Sequence, residues 1–196
     1  LAAAAERIGQ KDEAAKLFSK IYYLNSSARS QAQAALAAGK IYYQQTNYDE
    51  AEKWLTRYIN MENDPDNQQL FEGCLFLGKT WLALNNHQSA CDALRAALRG
   101  RLSQQDYVVT VTALVESYLA QERFVEALQV VSDTATRHLP EADSVHMLIL
   151  KTRVLRGMGL TDKAVVLLRE REEYVIDDEL KVRIGNALSE CYIEQG

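Results

Sequence analysis

Proline is nearly missing from this chain, with two in 196 residues, and nine glycines are spread thinly. Proline locks φ and removes a backbone donor, and both residues interrupt helices. Their scarcity, with 47% hydrophobic residues, suits a nearly all-helical chain with few long loops. No apolar run approaches the ~20 residues needed to span a membrane as a helix. There is no excess of positive charge either: the net charge is −5. Phosphate affinity comes from clustered Lys and Arg, so a nucleic-acid partner is not expected. Three cysteines at wide spacing, Cys74, Cys91 and Cys191, make neither a disulfide framework nor a CxxC metal site. They read as buried thiols and lean towards a reducing compartment such as the cytosol, with the bacterial periplasm left open.

Catalytic signatures are equally sparse. His87, His138 and His146 have no histidine partner at helical spacing, which excludes an HExxH zinc site. No GxxxxGK[ST] loop cradles a phosphate, and Gly157-Met158-Gly159 fits a turn rather than a dinucleotide fingerprint. Serines and cysteines lack a partnered histidine. The expectation is no catalytic residue, no metal and no cofactor.

What is present is a period. Ala14, Ala51, Ala90, Ala127 and Ala164 recur at intervals of 37, 39, 37 and 37 residues, and each is followed four positions later by a bulky apolar residue: Phe18, Leu55, Leu94, Val131 and Leu168. Nine residues before the alanines stand Tyr42, Trp81, Tyr118 and Leu155, with Tyr192 one period on. Twelve before stand Gly39 and Gly78, with Val115 and Thr152 as exceptions. Between these rows fall Gly9, Thr46-Asn47, Asn85-Asn86 and Gly159, residue types suited to reversing a helix. A period of this length marks stacked helical hairpins that bury their apolar faces on one another.

The segments Ala35-x-x-Ala38-Gly39-x-x-Tyr42 with Ala51-x-x-x-Leu55, and Cys74-x-x-Leu77-Gly78-x-x-Trp81 with Ala90-x-x-x-Leu94, resemble the tetratricopeptide repeat. The resemblance covers essentially the whole chain. It lacks the leading tryptophan, has only Pro65 and Pro140 near the closing-proline positions, and is about three residues longer per unit, close to one helical turn. It implies an all-α, right-handed superhelical solenoid of antiparallel helix-turn-helix repeats, acting as a non-enzymatic scaffold for protein association.

Taken in order, residues 1–8 finish a helix and further helices are expected at 11–24, 28–44, 48–61, 67–84, 87–99, 104–120, 124–137, 141–157, 161–174 and 178–194. They form one array of units at 1–27, 28–66, 67–103, 104–140 and 141–177 and a half unit at 178–196, with a firm break at Pro65. Leu1 opens inside a helix and Gly196 falls where a turn belongs, so the chain reads as a segment of a longer array, with self-association through uncapped ends as one consequence. A self-assembly module, or a regulatory repeat domain of a larger enzyme or sensor, is the alternative.

In such repeats the first helix of each hairpin lines a concave groove, and a protein or peptide partner is expected there. Eleven before each alanine position one charge recurs: Lys40, Lys79, Glu116, Arg153 and Glu190. Two readings stand: a ladder of weak ion pairs, or, with Tyr43, His146, Arg156 and Arg183, a groove for an extended peptide. Between Val145 and Arg171 six basic residues face two acidic ones, so an acidic partner segment belongs with the C-terminal half. Leu36, Ala37, Leu75 and Phe76 stand where a lysine and asparagine carboxylate clamp would be, which disfavours chaperone-tail capture. Leu36, Leu75, Phe76, Leu82, Ile149 and Leu150 are expected in the core.

Overall fold

The computed structural model describes residues 11–24, 27–62, 64 and 67–195. The helix expected over 1–8, the turn at Gly9 and at Asn25-Ser26, the break at Pro65 and the terminal Gly196 lie outside them. Among the described residues the elements are ten α-helices and one 3-10 turn: α1 (Lys11–Leu24), α2 (Ala28–Gln44), α3 (Tyr48–Met61), α4 (Gln68–Ala83), α5 (His87–Ala97), α6 (Gln104–Ala120), α7 (Phe124–Asp133), α8 (Glu141–Gly157), α9 (Thr161–Tyr174) and α10 (Asp178–Gln195). They fall into two compact units, residues 1–102 and 103–196, divided beside the expected repeat boundary at 103/104.

The reversals repeat one device. Thr46, Asn85, Glu122 and Gly159, each five residues before an alanine of the comb, have φ of 60°, 58°, 57° and 73°. The following amide donates back to the large residue of the row nine before the alanine: Asn47 to Tyr42 (3.0 Å), Asn86 to Trp81 (2.7 Å), Arg123 to Tyr118 (2.9 Å) and Leu160 to Leu155 (2.9 Å). This is the left-handed closure that satisfies the last carbonyls of a helix. The same residue then starts the next helix. Asn47 and Asn86 accept from the amides of Glu50 and Ser89, whereas Arg123 and Leu160 give no side-chain cap. One residue thus ends a helix and begins its partner, so the two helices of a hairpin have no slack between them.

All five alanines of the comb are fully buried. Gly39 and Gly78 explain why small residues recur opposite: a Cβ on Gly39 would lie 2.6 Å from Leu55 Cγ, and one on Gly78 2.7 Å from Leu94 Cγ. The leucines fill the space that glycine leaves, and each full burial of such a side chain contributes about 1.5–3 kcal/mol. Val115 and Thr152 take the small-residue positions of the second unit and are equally buried. There Val131 replaces leucine opposite Val115, and α6/α7 and α8/α9 approach less closely than the glycine-bearing pairs α2/α3 and α4/α5.

Leu36, Leu75 and Leu150 are buried and Phe76, Leu82 and Ile149 half-buried, in keeping with a core role. The stripe expected on α1 is only partly covered: Ala14 is buried, Phe18 half-buried and Ile21 exposed. Two helices end earlier than the periodicity suggests. After α7, Thr134 donates to the carbonyl of Val131 (2.6 Å) and Thr136 to that of Asp133 (2.9 Å). Threonine hydroxyls compete with the helix ladder, and the chain tightens into the 3-10 turn Thr134–Thr136. After α5, Arg99 and Gly100 donate to carbonyls three residues back, and Gly100 lets the chain pass Phe71, whose Cβ would be 2.4 Å from an added methyl.

Within the first unit α2 and α4 lie side by side, and within the second α6, α8 and α10 do. Each unit therefore presents a face made of first helices. Two substitutions test the hairpin geometry. Glu122→Gly relieves a side chain held at positive φ and is expected to raise stability by about 0.5–1 kcal/mol in urea unfolding. Gly78→Ala, although a better helix former, is expected to lower it by about 1–3 kcal/mol because Leu94 has no room to retreat.

Candidate functional site

In the first unit, α2 supplies Lys40 and Tyr43, and α4 supplies Glu72, Phe76 and Lys79. Lys40 Nζ donates to Glu72 Oε1 at 2.6 Å and sits 5.3 Å from the centre of the Phe76 ring, with Lys79 Nζ 5.7 Å from the same ring. Two ammonium groups over one ring is a cation–π arrangement. Tyr43 meets Phe76 edge-on at 5.5 Å and Tyr48 of α3 at 5.8 Å. Burial, then the neighbouring Tyr48, pushes the Tyr43 phenol above its ordinary value. The result is an aromatic platform edged by amines and one carboxylate.

The second unit is richer in ion pairs. Arg153 of α8 grips Glu116 of α6 with both terminal nitrogens, one bond measuring 3.1 Å. Arg156, one turn further along α8, reaches α10: Nε donates to Glu194 Oε2 at 3.0 Å, Nη2 to Oε1 at 2.5 Å, and Nη1 to Glu190. These carboxylates push the Arg156 pKa above its ordinary value, and Arg156 in turn holds the Glu194 carboxyl below its own. A cleft of about 310 Å³ opens beside Leu119, Arg153, Arg156, Gly157, Glu190 and Glu194.

Two turns towards the N-terminus of α8, His146 joins three helices. Its Nε2 lies 2.9 Å from Thr112 Oγ1 of α6 and its Nδ1 3.5 Å from Arg183 Nη2 of α10. The Thr112 hydroxyl proton is already given to the Val108 carbonyl at 2.8 Å. The histidine must therefore donate from Nε2 and accept from Arg183 at Nδ1, which makes it neutral. Burial, and then Arg183, lower its pKa from 6.5, against the smaller opposing influence of Asp143 and Glu116, and Arg153 lowers it further.

Of the residues singled out by spacing, the structure brings together Lys40, Tyr43 and Lys79 in one unit and Glu116, His146, Arg153, Arg156, Arg183 and Glu190 in the other. Glu116 and Arg153 form the pair that a charge ladder implies, whereas Glu190 turns to Arg156 and not to Arg153. Glu72, Thr112 and Glu194 were not anticipated. The signal for them was available: Glu72, His146 and Arg183 share a row seven residues before Lys79, Arg153 and Glu190, Thr112 lies four before Glu116, and Glu194 four after Glu190. Phe76 was assigned to the core and also carries both amines.

Cys74, Cys91 and Cys191 are free and buried, and burial pushes the Cys74 and Cys191 thiols above their ordinary value. No helix among the described residues is long and apolar enough to cross a membrane.

Residues 1–68 match the tetratricopeptide repeat family. No curated protein matches the sequence. Among solved structures, the chain is similar to that of MamA (18% identity, TM-score 0.70, covering 88% of this chain and 93% of that one). It is similar to YrrB, described as a TPR protein with an unusual peptide-binding site (18% identity, TM-score 0.70, 94% and 88%), and to a Podosopora anserina putative kinesin light chain with nearly identical TPR-like repeats (18% identity, TM-score 0.66, 88% and 90%). At this level of identity the likeness is one of fold.

The Arg156 cluster joins α8 to α10 and should behave as an ion-pair network. Arg156→Met is expected to lower the unfolding midpoint in 50 mM salt by leaving Glu190 and Glu194 uncompensated, with most of that loss gone at ~1 M salt, where the screening length falls to about 3 Å. Urea unfolding at both ionic strengths checks it.

Proposed function

We propose that the chain, whose residues 1–68 match the tetratricopeptide repeat family and whose fold is like that of a solved TPR protein, is a non-enzymatic scaffold that binds a peptide or protein partner on the faces made by its first helices. The observation that carries this reading is the composition of those faces. In each unit, adjacent first helices set charged and aromatic side chains beside one another, on helices held rigid by the turns and alanine contacts beneath. Tyr43, Phe76, Lys40 and Lys79 give the first unit a surface for an apolar or aromatic side chain flanked by acceptors. His146, Arg153, Arg156, Arg183, Glu116 and Glu190 give the second a mixed-charge surface. Arg153 and Arg156 are already held by glutamates, so a partner's acidic group meets Arg183 more readily than either of them. An acidic partner segment near the C-terminal half fits that local balance.

Peptides selected from a random display library against the purified protein supply the test. Binding is expected to drop at least about tenfold in Tyr43→Ala or Arg183→Gln and to be unchanged in Val166→Ser, which lies on the second helix α9. Selected peptides that depend on Val166 and ignore both other residues would move the binding surface to the opposite side.

A second reading, self-association, draws on α10. Val182, Tyr192 and Ile193 are all exposed there, the last at 80%, apolar side chains spread along one helix that a second copy would cover. Light scattering over a hundredfold concentration range is expected to show mass rising with concentration, and Val182→Ser with Ile193→Ser to return it to the monomer. A constant monomer mass in the unaltered protein excludes this reading.

A further inference from the structure

The junction of His146 with Thr112 and Arg183 has an asymmetry that the other ion pairs lack. Arg153 and Arg156 each face glutamates. Arg183 instead donates to a neutral imidazole, and no carboxylate is paired with it among the described residues. Half-buried guanidinium groups gain far more from a carboxylate than from a neutral ring, because their fork matches two carboxylate oxygens. Here the position such an anion would take is held by the lone pair of Nδ1.

We propose that the His146–Arg183 pair captures a carboxylate of the partner, and that His146 takes up a proton from solvent as it does so. The step follows from the hydrogen-bond chain. Thr112 fixes the Nε2–H, so Nδ1 is the only nitrogen free to change, and as an acceptor it repels an anion. Once protonated it becomes a second donor beside Arg183. Two cations side by side are then costly without an anion between them and favourable with one. Carboxylate binding and protonation each favour the other.

The groups facing the imidazole from every neighbouring helix support this coupling. Glu116 on α6 is committed to Arg153, and Asp143 on α8 accepts from Gln104 Nε2 at 2.8 Å. In the structure both are engaged elsewhere, Glu116 in an ion pair and Asp143 with an amide. Arg153 adds positive charge from α8 and Arg183 from α10. Burial first, and then these two arginines, hold the free histidine below its ordinary pKa of 6.5, and an arriving carboxylate offsets the repulsion that comes from the arginines. Affinity should therefore increase as pH falls from 8 towards 5.5, a range in which glutamate side chains stay ionised.

This inference rests on the scaffold reading and deepens it by naming the group recognised in the second unit. The probe is hexaglutamate, with hexaglutamine as control, followed by NMR of the histidine rings in the whole protein. Hexaglutamate is expected to shift the His146 ring signals, raise its titration midpoint by about one unit, and bind roughly three- to tenfold more tightly at pH 5.5 than at pH 8.0. His146→Gln is expected to bind with no such pH dependence, and Arg183→Gln to lose binding at both pH values. Unmoved His146 signals in saturating hexaglutamate, or an unchanged pH dependence in His146→Gln, would overturn the proposal. Display-selected peptides that bind through Tyr43 while leaving His146 unmoved would sustain the scaffold and remove only this site.

Discussion

The four hairpins whose turns lie among the described residues depend on one backbone closure: a residue in the left-handed region whose successor both donates to a carbonyl five residues back and opens the next helix. Because that closure leaves no spare residue, it sets the rotation of the second helix relative to the first. The alanine five positions later must then face its partner helix at close range. The comb of alanines is a consequence of this geometry as much as a cause of it. At Gly39 and Gly78 the approach is close enough that no side chain fits; at Val115 and Thr152 the helices stand further apart and a larger residue fills the difference.

Rigid hairpins give the first helices their regularity. Since each unit repeats after about 37 residues, side chains at equivalent positions fall beside one another on adjacent first helices, and interactions join residues 32 to 38 positions apart. Lys40 with Glu72, Glu116 with Arg153 and Arg156 with Glu190 all follow that rule. The same regularity separates two kinds of surface. Where opposite charges fall together, as around Arg156, the face is internally satisfied and serves mainly to join helices. Where a cation falls beside a neutral acceptor, as at Arg183, no carboxylate among the described residues is paired with it, and that is the surface proposed to meet a partner.

Glu122 shows how far local reading reaches. Thr46, Asn85 and Gly159 lie in turns that residue type alone suggested, but Glu122 has no such preference and was not singled out; only the gap between the helices expected at 104–120 and 124–137 fell at its place. The early end of α7 was missed for the opposite reason: Thr134 and Thr136 make bonds to nearby carbonyls that apolar periodicity does not register. At the site, spacing placed Lys40, Glu116, Arg153 and Glu190 on one row. It did not reveal that Arg156, one turn away, has the longer reach to α10, nor that Thr112 determines which nitrogen of His146 carries the proton.

By itself the sequence determined the helical class, the period, the positions of nearly every helix and the buried alanine row, because those follow from side-chain size, backbone preference and spacing along one chain. Only the tertiary structure decided which charges are mutually satisfied. That depends on the direction and length of side chains meeting from helices more than thirty residues apart, where a single turn exchanges one glutamate for another and a threonine hydroxyl selects a tautomer.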